Sequence, residues 1–123
     1  MTSLSSREAT ILVVAQEFVD SGSIDVKLYG IGHELWAVRR PSPLTGSSLE
    51  PPQRLELTPE LAQLARACGE AFGLELYGVD VLLSSRGPLV VDVNEFPNYT
   101  GVDEAPAAIA EFVCSSSTAE VVA

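Results

Sequence analysis

Three oxygen-bearing side chains, Asp80, Asp92 and Asn94, flank one short turn signal, Ser85-Arg86-Gly87. A loop centred on Arg86 predicts a hairpin of residues 74–83 and 88–94, pairing Ser84 with Pro88, Leu82 with Val90 and Asp80 with Asp92. Directly opposed residues have Cβ atoms roughly 4.5–5.5 Å apart, where like charges repel. Asn94 lies two residues past Asp92 and shares its face. Val79, Val81, Val91 and Val93 surround the three with apolar groups. Hard oxygen donors gathered this way suit a divalent cation, and magnesium in particular, which completes its shell with waters and phosphate oxygens. Two other readings fit the same residues: carboxylates ending strands in solvent, or one of them protonated. A slip of one residue in register would part the pair.

The second chemical group is cationic. Lys27, Arg39 and Arg40 fall in one short stretch of a chain with only seven Lys and Arg and a formal net charge of −10. A two-residue Gly32-His33 loop between strands at 24–30 and 34–40 sets Ile31 opposite Glu34 and Lys27 opposite Val38. Lys27 and Arg40 then point to one side of the ribbon and Arg39 to the other. That arrangement is either a local anion site or an ordinary solvated face. His33 is expected to be exposed at the tip, and Trp36 to pack on the hairpin. The acidic balance argues against a nucleic-acid surface, which needs basic stripes.

Positioning these groups requires a folded domain, and 123 residues with 46% hydrophobic and 20% charged side chains suffice for one. Residues 11–14 are apolar and mostly β-branched and predict a buried strand, followed by a turn at Ser21-Gly22-Ser23. Residues 41–53, rich in Pro, Ser and Gly, predict a loop. Thr58 can cap a helix that Pro59 starts, with Glu60 at the positive end of its dipole. Leu61, Leu64, Ala65, Cys68, Ala71 and Phe72 recur at helical spacing and predict its buried face, and Gly73 ends it. A second helix is expected over residues 105–112, with a frayed end beyond. The fold class is therefore α+β: an antiparallel sheet of two hairpins with helices packed on it. Its expected divisions are a loose lead-in at 1–10, the domain at 11–113 and a tail at 114–123. Cys68 and Cys114 lack metal-ligand spacing, and Cys68 reads as a buried thiol. No run of about 18 apolar residues could span a membrane, and residues 11–15 are too short for a signal core. A cytoplasmic protein is the expectation.

The stretch Val90-Val91-Asp92-Val93-Asn94-Glu95-Phe96-Pro97-Asn98-Tyr99-Thr100-Gly101-Val102 resembles the metal-binding end of the ATP-grasp superfamily. Its D-x-N-x-F-P-x-Y-x-G-V pattern is most similar to the inositol trisphosphate kinase family. Gly78-Val79-Asp80 resembles the upstream magnesium-ligand motif, and Gln16-Glu17-Phe18-Val19 the hinge that lies along adenine. The spacing from Gln16 to Lys27 matches those kinases, where the lysine faces the phosphate-rich ligand. Arg40-Pro41-Ser42 resembles a triplet whose arginine and serine lie near nucleotide phosphates. The same blocks are similar to the glutamate ligases that modify ribosomal protein S6, which usually carry Glu-x-Asn where this chain has Asp92-Val93-Asn94. Asn98 stands where the kinases usually have glycine, and Asp20-Ser21 where they often have an Asn-His type pair.

The resemblance covers residues 13–102 and implies the second, C-terminal lobe of an ATP-grasp fold. It implies ATP and Mg2+ as cofactors, with Asp80, Asp92 and Asn94 on the metal and Lys27 and Arg40 catalytic. Gln16, Glu17, Phe18, Val19, Lys27, Arg40 and Ser42 would line the nucleotide. The implied activity is transfer of the γ-phosphoryl group of ATP to an inositol phosphate. The alternative is carboxylate–amine ligation through an acylphosphate. ATP-grasp enzymes hold nucleotide between two lobes, and no lysine precedes Lys27 to serve as one from the first. A separate first-lobe partner or a homodimer would cover the apolar surface so left. A non-catalytic binding module that keeps the fold is the reading from another class.

Overall fold

The computed structural model describes residues 11–15, 17–18, 24–41 and 51–122. Five strands form one antiparallel sheet in the order β3-β2-β1-β4-β5. The strands are β1 (Ile24–Ile31), β2 (Glu34–Pro41), β3 (Gln53–Leu55), β4 (Leu76–Ser84) and β5 (Gly87–Glu95). Helix α1 (Pro59–Phe72) lies between β3 and β4, and α2 (Ala105–Val122) follows β5. This is the α+β architecture of two hairpins with packed helices that the patterning predicts. The short edge strand β3, inside the expected loop, is the addition.

Alternation along the strands divides the sheet into two faces. On one, Val26, Leu28, Ala37, Tyr77, Val79 and Val81 bury against Leu61 and Ala65 of α1. Each fully buried Leu or Val there contributes about 1.5–3 kcal/mol. On the other, Tyr29, Ile31 and Val38 bury against Tyr99, Val102, Ala105 and Ala108. That second cluster covers only part of its face, and the rest carries the polar residues described below.

Helix α1 starts as predicted: the Leu61 amide donates to Thr58 Oγ1 at 3.2 Å, and Gly73 closes it at φ 65°. Its buried face is rotated from expectation. Leu61, Ala62, Ala65 and Gly69 are the buried positions, whereas Ala71 and Phe72 are exposed, Phe72 by 66%. Gly69 is buried because the Tyr77 ring packs on it, leaving 2.8 Å to where a Cβ would stand. A glycine contributes nothing to an apolar stripe read from the sequence, so the face was set too far around. Cys68 is half-buried, and burial pushes its thiol up.

Two further expectations are corrected. Residues 11–14 form no strand, and their side chains are 78–94% exposed. The described sheet has its edges at β3 and β5, and among the described residues nothing covers this stretch. Helix α2 runs to Val122, ten residues beyond the predicted end at Phe112. Gln16, Val19, Ser42 and the Asp20-Ser21 pair lie outside the described residues.

Candidate functional site

The first hairpin has the predicted register. Ile31 pairs with Glu34, Lys27 with Val38 and Asp25 with Arg40 across the Gly32-His33 turn. Lys27 and Arg40 therefore share a face. His33 is exposed in the turn, and Trp36 is half-buried beside the α2 cluster.

The second hairpin brings Asp80 opposite Asp92 as predicted, but by a different route. Its turn is one residue tighter: Ser84 pairs with Gly87, Leu83 with Pro88 and Val81 with Val90. The Ser84 hydroxyl fastens it, accepting from the Arg86 amide at 3.1 Å and donating to the Gly87 carbonyl at 3.0 Å. Gly87 takes φ 95°, which a side chain would resist. Continued without interruption, this register would place Asp80 opposite Val91 and send Asp92 to the α1 face. A β-bulge between Asp80 and Val81 absorbs Val91 and restores the Asp80–Asp92 pairing. Bulges re-aim side chains in this way. The apolar run Val90-Val91 gives no sequence sign of it.

Lys27, Asp80 and Asp92 consequently stand in a row across three adjacent strands, β1, β4 and β5. Lys27 Nζ lies 2.6 Å from Asp80 Oδ1. The Asn94 side-chain amide donates to Asp92 Oδ2 at 3.2 Å. That bond leaves the Asn94 carbonyl oxygen and the Asp92 carboxylate as further acceptors. Beside the row, Asp25, Lys27, Arg40, Asp80, Leu82 and Val91 line a cavity of about 120 Å³. Asp25 was missed in the sequence reading, although period two from Lys27 puts it on this face.

The segment after β5 clamps the site. Phe96 and Tyr99 adopt left-handed φ values of 39° and 55°, unusual for aromatic residues. The Tyr99 hydroxyl donates to the Gly30 carbonyl at 2.8 Å, and its ring packs on Tyr29 with centroids 5.2 Å apart. Burial pushes the Tyr99 phenol up to about 12. Pro97 then lies over Gly78: a Cβ there would stand 3.1 Å from Pro97 Cγ and 3.5 Å from Lys27 Cε. Gly78 thus gives Lys27 and Pro97 room beside the carboxylates. The Gly-Val-Asp motif has a steric reason.

The structure brings Lys27, Arg40, Asp80, Asp92 and Asn94 together on one face. Glu17 and Phe18 are exposed, and Glu17 pairs with Arg86 at 2.8 Å by the tip of the second hairpin. As a donor set, Asp80, Asp92 and Asn94 fit magnesium: all offer hard oxygens, and the neighbouring face is open.

Comparison with known proteins bears on this geometry. Residues 2–111 match the family described as the RimK-like ATP-grasp domain. A probable alpha-L-glutamate ligase of Marinobacter nauticus is 33% identical over 100 residues, covering 76% of this chain and 33% of the relative. Probable alpha-L-glutamate ligase 2 of Shewanella amazonensis is 33% identical over 103 residues, with the same coverage. The chain spans about a third of the length of these relatives. Among solved structures, the macrocyclase MdnC of Microcystis aeruginosa, bound with precursor peptide MdnA, shares the fold. Its TM-score is 0.61 at 13% identity, over 76% of this chain and 33% of that one. These relatives favour the glutamate-ligase side of the resemblance over the inositol-kinase side.

Proposed function

We propose, from the premise that this chain belongs to the RimK-like ATP-grasp family, that it is the magnesium-and-nucleotide lobe of an ATP-dependent carboxylate–amine ligase. The observation that carries the reading is the row Lys27–Asp80–Asp92 on adjacent strands, with Asn94 hydrogen-bonded to Asp92. Asp80, Asp92 and Asn94 would hold the metal. Magnesium there would supply positive charge against the phosphates of ATP.

Lys27 and Arg40 extend the positive field along the same face, where partial burial strengthens it. Arg40 lies across the strand pair from Asp25, and both line the small cavity beside Lys27. Glu17, anchored by Arg86, and exposed Phe18 offer the backbone and ring of an adenine hinge, to which Gln16 and Val19 belong by sequence. Ser42 follows Arg40 as a phosphate contact. Pro97 and the Lys27 stem both pack over Gly78. In the ligase reaction the γ-phosphoryl group of ATP would pass to a carboxylate, such as that of glutamate, with release of ADP. An amine would then displace inorganic phosphate from the acylphosphate, losing a proton to leave the amide.

The second reading, phosphoryl transfer to a hydroxyl of an inositol phosphate, is favoured by Asp92 in place of the ligases' usual glutamate and by the Phe96-Pro97-Asn98-Tyr99 sequence.

Isothermal titration with ATP and magnesium is expected to give heat for the wild type and binding weaker by about tenfold or more for Asp92→Ala. Equal heats would overturn the assignment. Radiolabelled ATP with a first ATP-grasp lobe supplied separates the two chemistries. Glutamate plus an amine acceptor should release the label as inorganic phosphate, whereas a kinase would carry it onto the inositol.

A further inference from the structure

We infer that the ammonium of Lys27 is a built-in stand-in for the divalent cation, held on Asp80 until the metal displaces it. The inference rests on the magnesium reading above and adds a positioning role for Lys27 beyond contact with phosphate. Its basis is geometric. Lys27 Nζ sits 2.6 Å from Asp80 Oδ1, an oxygen that the metal would use. The cross-strand register places Lys27 on one side of Asp80 and Asp92 on the other. The pair is not an ordinary surface bridge, because Lys27 is only 9% exposed. Asp80 also faces Asp92 across the ladder, and a tethered cation offsets the repulsion between the two carboxylates.

The charges on this face favour exchange. Asp25, Asp80 and Asp92 oppose Lys27 and Arg40, so these five groups together carry one net negative charge. A divalent cation at Asp80 and Asp92 reverses that sign, and the ammonium is then repelled at contact distance. Pro97 and Gly78 confine the lysine stem, so the head group turns to the open side, where the cavity and Arg40 lie. Metal and lysine thus compete for one carboxylate. Once displaced, Lys27 joins Arg40 as an anion-binding pair. The metal-free site is kept neutral enough to fold, and the loaded site acquires its second phosphate contact only when the metal is present.

The probe is Mn2+, followed by electron paramagnetic resonance on the full chain as wild type, Lys27→Met and Lys27→Met with Asp92→Ala. Lys27→Met is expected to bind Mn2+ about tenfold or more tightly than wild type, because an adjacent positive charge is gone. The double variant is expected to lose that gain. Equal or weaker binding by Lys27→Met overturns the stand-in role alone. Unchanged binding in the double variant, or no binding in any chain, overturns the magnesium reading beneath it.

A readout on the wild type is independent of whether the variants fold. Lys27 is the chain's one lysine, so any ε-amine adduct detected by mass spectrometry reports its release. Trinitrobenzenesulfonate should modify it several-fold faster with millimolar Mg2+ than without. An unchanged rate would show a purely structural ion pair and would overturn the proposal.

Discussion

The β1–β2 and β4–β5 hairpins lie side by side in one sheet and are nearly equal in length, yet they handle charge differently. The first is regular from turn to end, and its cross-strand pairs join unlike groups: Lys27 with Val38, Asp25 with Arg40. The second opposes two carboxylates and needs a bulge to do so. Regular pairing is the low-energy default, so the irregularity marks the hairpin whose side chains are aimed for chemistry rather than for packing. The first hairpin supplies the counter-charge through Lys27. Neither hairpin alone makes the site.

The largest effect is expected from adding to the second hairpin one residue more than its bulge absorbs. Inserting an alanine between Val91 and Asp92 moves Asp92 opposite Val79, so Asp92 and Asn94 turn toward α1 and Val93 toward the open face. Divalent-cation binding should be lost. Burying a carboxylate against Val79 and Ala65 should lower unfolding stability by about 3–5 kcal/mol. Denaturant melts and Mn2+ titration measure the two consequences. If the insertion variant binds metal like the wild type, the register fixed by the bulge does not set the site, and the contrast between the hairpins fails.

The same contrast explains what the sequence could reveal. In the first hairpin, Gly32-His33 specifies a two-residue loop, and simple counting then placed Lys27 and Arg40 correctly. In the second, two errors cancelled. The loop was read one residue too long and the bulge was not read at all, so Asp80 still met Asp92. Side-chain period is legible because it is local. A bulge is not, because it depends on how Val90 and Val91 compete for one place in the ladder. For the same reason Gly69 was overlooked on α1: its value lies in the Tyr77 ring above it. Residues 11–14 failed in the opposite direction, since strand-like composition does not supply a strand to pair with.

A smaller effect is expected where the second hairpin's exit is tied to the first. Tyr99→Phe removes the hydroxyl that bonds to the Gly30 carbonyl on β1 and should destabilise the fold by about 1 kcal/mol. The sign of the pH dependence follows from burial. The folded phenol is raised to about 12, above its ordinary value near 10. The neutral hydroxyl therefore contributes fully below about pH 10, and that contribution is lost as pH rises towards 12. Alkaline unfolding curves of the wild type should fall more steeply across that window than those of Tyr99→Phe. Parallel curves would show that the hydroxyl does not join the two hairpins energetically.

The smallest effect belongs to the outermost tie. Arg54 of β3, on the far edge of the first hairpin, holds Glu104 just before α2 through a forked pair at 2.8 and 3.1 Å. Hydrogen bonding to Arg54 lowers the Glu104 carboxyl below its ordinary value. Its stabilising contribution is thus complete above the unfolded carboxylate range and is lost as pH falls through the lowered folded value. Both side chains are exposed, so salt should screen the pair further. Glu104→Gln should be slightly less stable than wild type at neutral pH and low salt, and the difference should close on acidification or in molar salt. Metal affinity should not move in either condition, because the pair braces the covered half of the sheet face and touches none of the oxygen donors. A loss of Mn2+ affinity in Glu104→Gln would show that the two halves of that face are coupled and that the site depends on more than the bulge and the lysine.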